Sequence, residues 1–317
     1  MTNDARDAVL VAESLADAAA KRAGVTIEPA FSQADCAAAS RLFDRVWNQR
    51  ESSLLAPGAL IALAHSGNYV AVARAGDRIV GAAAGFFGPP PARTLHSHLA
   101  GVLPELRGRG AGNALKLHQR HWALSAGATN ITWTFDPLVA RNAYLNVHRL
   151  GARVERYFEN FYGEMGDVLN GHDASDRALA NWDLLRACPP PPLADEKPHH
   201  LADEKPLQLA DEKLRRQLAD DEVRHLAGRE PRYLLRRDGD RPLLDEPGPA
   251  EPEAGLLALQ IPADIETLRR TNPAAASAWR ADLRAAMTWA LAEGWVVVDV
   301  RRDGCYLLER PAAGSGG

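Results

Sequence analysis

The sequence predicts an α/β protein: a mixed, mostly antiparallel central sheet flanked by helices, then a low-complexity linker and a small C-terminal α/β module. Three observations carry this. Over residues 25–165, short runs with strand alternation are interleaved with runs of helical period. Past residue 187 the composition turns proline-rich and repeats LADEK at residues 193, 201 and 209. Beyond that tract, Asp-Gly pairs at 238–239 and 303–304 separate apolar runs, as hairpin turns do.

Residues 4–22 are alanine-rich with mixed charge and predict a solvated helix lying outside the core. "VTIEPA" (25–30) alternates like a short strand, and the following segment places Cys36, Ser40, Phe43 and Trp47 at helical spacing with Ser32 as N-cap. "APGALIALAHSG" reads as a second short helix, and "NYVAVARAGDRIVGAAAGFFG" as two strands joined at "AGD". "TLHSHLAGVLP" is a further strand, leading into a helix over 110–126. "NITWTFDPL" is again a strand, "VARNAYLNVHRLG" a helix closed by Gly151, and "ARVERYFENFYGEM" one or two final strands. The expected organisation is an N-terminal helical extension (1–24), a main α/β domain (25–187), a linker (188–230) with one helical stretch near 207–226, and a C-terminal module (231–317). In that module a hairpin about Asp238-Gly239 and a strand at "GLLALQIP" precede one or two helices ended by Gly294 and a pair of strands about Asp303-Gly304.

Composition narrows the function. The chain has 317 residues, a quarter of them charged, with a formal net charge of −4, so no general attraction to nucleic acid is expected. The N-terminus carries acids and lacks a long apolar core, so it reads as neither a signal peptide nor a membrane helix. Cys36, Cys188 and Cys305 have no metal-ligand spacing and read as inert thiols in a reducing cytosol. A cytoplasmic enzyme or binding protein without a metal is the expectation.

The chemistry concentrates in "GVLPELRGRGAGNALKLHQRHWAL" (101–124). A glycine-rich turn opening a helix lets backbone N–H groups approach an anion at the positive end of the helix dipole. Arg107 and Arg109 add fixed charge that suits phosphate or pyrophosphate better than a carboxylate. A GxGxxG dinucleotide fingerprint fails because residue 113 is Asn, and a Walker loop fails because no GK[ST] follows.

The spacing Arg107-x-x-Gly110-x-Gly112, after the strand end Val102-Leu103-Pro104, resembles the signature loop of the GNAT superfamily of acyl-CoA-dependent N-acetyltransferases. "ARNAYLNVHRLGA" adds to the likeness, with Leu150-Gly151-Ala152 where the family has an LGF-like turn. The resemblance covers about residues 25–165 and implies a GNAT-like sheet and an N-acetyltransferase (EC 2.3.1 class) with acetyl-CoA as co-substrate and no metal. It implies that the amides of Gly108, Arg109, Gly110, Ala111, Gly112 and Asn113 hold the CoA pyrophosphate. Ala100, Gly101 and Val102 would present strand-edge groups to the pantetheine arm and the acyl carbonyl, and a neutral amine would attack the thioester directly. An N–H aimed at that carbonyl favours the transition state, where the oxygen gains charge.

Family members often carry an acidic Tyr four residues before the turn glycine; here that position is Val147, and Tyr144 lies one turn earlier. His96 and His98 on the strand entering the site are candidate bases, or histidines satisfied by backbone partners. Asp136 is a candidate substrate contact or a turn-forming residue before Pro137, and Glu105 reads as a solvated carboxylate. His148 reads as a neighbour of the missing Tyr or as a cation on a helix C-terminus. "SDRALANW" (175–182) could fold back over the acceptor pocket, and Trp133 and Trp182 could wall it or be core. The partners expected are acetyl-CoA and an amine acceptor, with no nucleic acid and no membrane, and a homodimer is compatible with the chain. The alternative is a non-catalytic acyl-CoA-binding or regulatory protein that retains the loop.

Overall fold

The computed structural model describes residues 3–48, 53–163, 174–186, 229–246 and 255–310. The LADEK tract and the helical stretch expected near 207–226 lie outside them. A helix α1 (Asn3–Ala23) precedes β1 (Thr26–Pro29), α2 (Gln33–Trp47), α3 (Pro57–His65), β2 (Tyr69–Ala75), β3 (Arg78–Phe87) and β4 (Thr94–Val102). Then come α4 (Ala111–Ser125), β5 (Asn130–Phe135), a short α5 (Ala140–Ala143) running into a π-turn (Tyr144–Arg149), β6 (Arg153–Phe158) and β7 (Arg177–Asp183). The seven strands form one sheet of order β1-β2-β3-β4-β5-β7-β6, antiparallel throughout except for the parallel pair β4–β5.

Local signals explain most of these elements. Ser32 caps α2, its hydroxyl accepting from the Asp35 N–H at 3.0 Å. Gly151, at φ +72°, closes the helix that ends in the π-turn. Two expectations are corrected. The N-terminal helix is not a solvated extension: Ala12, Ala16 and Ala19 recur at helical spacing and are buried, and the helix packs along α4. "SDRALANW" does not cover a pocket; it is β7, inserted between β5 and β6. Trp133 and Trp182 accordingly meet edge to face in the core, both nearly sealed from solvent.

The C-terminal residues form a second sheet from β8 (Arg232–Asp238), β9 (Arg241–Leu244), β10 (Leu256–Gln260), β11 (Val296–Val300) and β12 (Cys305–Glu309), in the order β11-β12-β10-β8-β9. The helices α6 (Ile265–Thr271) and α7 (Pro273–Ala292) accompany it. Both hairpins stand where the Asp-Gly pairs put them, with Gly239 and Gly304 at positive φ. Leu257, Leu259, Trp279, Leu283 and Tyr306 join the same buried cluster as Trp133, Leu138 and Val147, so the two sheets share a core.

Candidate active site

At the centre of the first sheet β4 and β5 pair only through Thr94↔Asn130, Leu95↔Ile131 and His96↔Thr132. Beyond that point the strands part, and Ser97 and Trp133 are the first residues on either side of the opening. On its other edge β4 stays paired with β3 through Val102, but with a bulge: Ala84 faces Leu99 and Gly85 faces Ser97, leaving His98 as the extra residue. Gly85 is obligatory here, because a Cβ would lie 2.7 Å from the His96 carbonyl oxygen.

The open end of this wedge leads to the glycine loop. Leu103 N–H donates to the Val80 carbonyl at 2.9 Å and fixes the strand end, after which Pro104–Leu106 make one 3-10 turn. Gly108 and Gly110 adopt φ of +77° and +88°, which side chains rarely tolerate. Gly110 is the N-cap of α4; among the described residues no side chain caps that helix, and its first turn holds no acid. The first-turn amides are thus directed at the loop with no protein acceptor from a cap. Arg107 and Arg109 are exposed at its rim. Glu105 is drawn aside by Arg78 at 2.6 Å and Arg45 at 3.1 Å, which keeps its carboxylate on the surface. Gly101 has a packing reason of its own: a Cβ there would press on the Trp47 ring at 3.0 Å.

His96 and His98 lie on the sheet face opposite α4, beside Phe86, with ring centroids 5.2 and 5.9 Å from it. Burial lowers the pKa of both imidazoles, and for His96 the charges of His98 and Lys116 lower it further. Each is therefore neutral and able to accept a proton at ordinary pH. His96 Nδ1 is 3.4 Å from Thr132 Oγ1, whereas the partly covered His98 ring is the more exposed of the two. Thr134, bonded to Tyr162 at 3.1 Å, extends this polar face along β5.

The other candidates are engaged elsewhere. Asp136 is buried; Arg280 donates to both its oxygens at 2.8 and 3.0 Å, and Arg269 donates at 2.6 Å. Burial alone would raise its pKa, but the two guanidinium groups more than offset this and hold it well below the usual carboxylate range. Tyr144 stacks on His148 with centroids 4.7 Å apart, and its hydroxyl accepts from Arg302. His148 Nδ1 meets Asp299 at 2.8 Å, so both rings belong to the contact between the sheets. Val147 is core.

Sequence reasoning missed Lys116. It stands on the buried stripe of α4 with Gln119, Arg120, Ala123 and Leu124. Its Nζ donates to Ser97 Oγ at 2.8 Å and to Gln119 Oε1 at 3.3 Å, and lies 3.9 Å from the centroid of Trp133. Gln119 Nε2 is buried without an acceptor among the described residues. The signal was legible as three polar residues, Lys116, Gln119 and Arg120, at apolar positions of the helical period.

Residues 35–151 match the family model described as Acetyltransferase (GNAT) family. Among solved structures, yncA of Salmonella typhimurium with its cofactor acetyl-CoA is 20% identical, covering 53% of this chain and 98% of its own, with a TM-score of 0.41. The ribosomal-protein-S18-alanine N-acetyltransferase of Escherichia coli is 14% identical, covering 51% and 96%, with a TM-score of 0.42. Ard1 of Thermoplasma volcanium is 16% identical, covering 51% and 99%, with a TM-score of 0.40. No curated protein matches the chain.

Proposed function

On the premise that residues 35–151 place this chain in the GNAT acetyltransferase superfamily, we propose that it is an N-acyltransferase that moves the acetyl group of acetyl-CoA to an amine. The observation that carries this reading is the parting of β4 and β5 beside the uncapped glycine start of α4. The pyrophosphate sits on the amides of residues 108–113 with Arg107 and Arg109 alongside, and the pantetheine arm lies in the wedge against Ala100, Gly101 and Val102. The bulge at His98 frees backbone groups of β4 near the thioester carbonyl, where a donor stabilises the charge that develops during attack.

The amine approaches from the face that carries Phe86, His96 and His98, and His98 takes its proton. The acetyl carbon gains a C–N bond, the C–S bond breaks, and the amide and free CoA leave. Asp136 and Tyr144 support the fold around the site and have no part in the transfer.

Release of free CoA thiol from acetyl-CoA by the purified full chain, over a panel of small amines and peptide N-termini, tests this. Amine-dependent thiol release supports it. CoA that binds tightly while no amine releases thiol would favour an acyl-CoA-binding protein without turnover.

A further inference from the structure

We propose that Lys116 is the acid that protonates the departing CoA sulfur, the task left open by Val147. The placement is what points to it. The last parallel pair of the diverging strands is His96↔Thr132, and the next residue of each strand, Ser97 and Trp133, touches the Lys116 ammonium. Lys116 therefore closes the apex of the wedge from the α4 side. The two histidines lie on the opposite face of the sheet, where the amine approaches. A thioester seated in the wedge has a base on one face and this ammonium on the other.

The surroundings suit a proton donor better than a structural cation. The hydrogen-bond partners of Lys116 are a hydroxyl and an amide oxygen, with no carboxylate among them. His96 is an ionisable neighbour that feels its charge, and the effect is repulsive. A buried ammonium with neutral partners is costly, and burial pulls Lys116 down to about 7 from its ordinary 10.5. Both of its forms are then accessible at neutral pH, as a donor that must be recharged each cycle requires. The Nε2 of Gln119 adds a second buried donor that has no acceptor among the described residues.

The step balances. The amine lone pair forms the C–N bond, the C–S electron pair leaves with sulfur, and the sulfur takes one proton from Lys116 Nζ. The surplus proton of the attacking nitrogen goes to His98 and then to solvent, and solvent returns one proton to Lys116. The product thiol and the neutral lysine leave no charge in the closed apex.

The proposal rests on the acyl-transfer reading, and two readouts on the full chain keep their failures apart. The first is the ultraviolet thiolate absorbance of bound CoA against pH, which needs no turnover. In the wild type a thiolate at the apex draws a proton onto Lys116 and pairs with the ammonium, whereas in Lys116→Met it has no counter-charge, so the thiolate forms at higher pH in the variant than in the wild type. Coincident curves for the two proteins would overturn the role of Lys116, even with amine transfer intact. The second is kcat with an amine that the wild type acetylates. Lys116→Met and Lys116→Arg each lower kcat by about 100-fold with KM within about threefold, since arginine keeps the charge but does not release a proton. Full kcat in either folded variant would also overturn it. A thiolate shift without any amine turnover would support Lys116 as the partner of sulfur and count against amine transfer.

Discussion

The Asp136 carboxylate receives two parallel hydrogen bonds from the Arg280 guanidinium, at 2.8 and 3.0 Å, and so binds the end of β5 to α7 of the second sheet. Asp136→Asn removes the buried carboxylate that Arg280 and Arg269 both donate to and should destabilise the chain by about 3–5 kcal/mol, measured by urea denaturation. The pH dependence has a definite sign. The folded pKa of Asp136 is depressed, so its contribution is complete above the ordinary carboxylate range and is lost as pH falls below it. Asp176, buried and held by Arg284 at 2.8 and 2.9 Å, acts in the same direction. Acid denaturation should therefore begin at a higher pH in Asp136→Asn than in the wild type.

Lys116 shifts stability with pH in the same direction, but as a penalty on the fold rather than a contribution to it. Its folded pKa lies below the ordinary value, so folding is penalised most at pH below about 7, and the penalty fades as pH rises toward 10.5. Lys116→Met should raise stability at pH 6 by about 1–3 kcal/mol, with the gain shrinking in alkaline buffer, followed by thermal melts across pH. The gain is limited because Ser97 and Gln119 lose a partner. A residue whose removal stabilises the fold while slowing turnover is retained for chemistry.

Much of this architecture is legible in the sequence, because its signals are local. The period-2 runs of β2 to β5, the Ser32 cap, the Asp-Gly hairpins and the glycines before α4 each act within a few residues. What escapes is what depends on distant partners. Asp136 in "TFDPL" resembles a turn residue or a substrate contact, yet its partners lie 133 and 144 positions away. β7 pairs with β5 across an intervening helix and strand, so its place between β5 and β6 has no local mark. Lys116 reads as an ordinary helix-surface cation until the buried stripe of α4 is drawn. Ala12, Ala16 and Ala19 are too small to give α1 a strong apolar face, although they let it approach α4 closely.

Gly101 separates a packing role from a binding role. A Cβ at this position meets Trp47 at 3.0 and 3.2 Å and Val46 at 3.2 Å. Gly101→Ala should cost about 1–2 kcal/mol through overpacking, and a smaller side chain at Trp47 should recover part of it. Melting of the single and double variants checks this. Additive losses would mean that the two residues do not share the contact.

Gly112 offers the cleanest test of where the cofactor sits. It is helical, and a Cβ there would meet Val102 at an ordinary 3.8 Å, so a side chain fits without strain. An acid in the first turn of α4 also suits the helix dipole, so Gly112→Asp should keep or raise the melting temperature. The same carboxylate would stand where the pyrophosphate is held. Calorimetric titration of acetyl-CoA into the wild type and Gly112→Asp should show one saturable site that weakens by about 100-fold or more in the variant, with the fold intact. Equal affinity in the two proteins would contradict the placement of acetyl-CoA on the α4 loop.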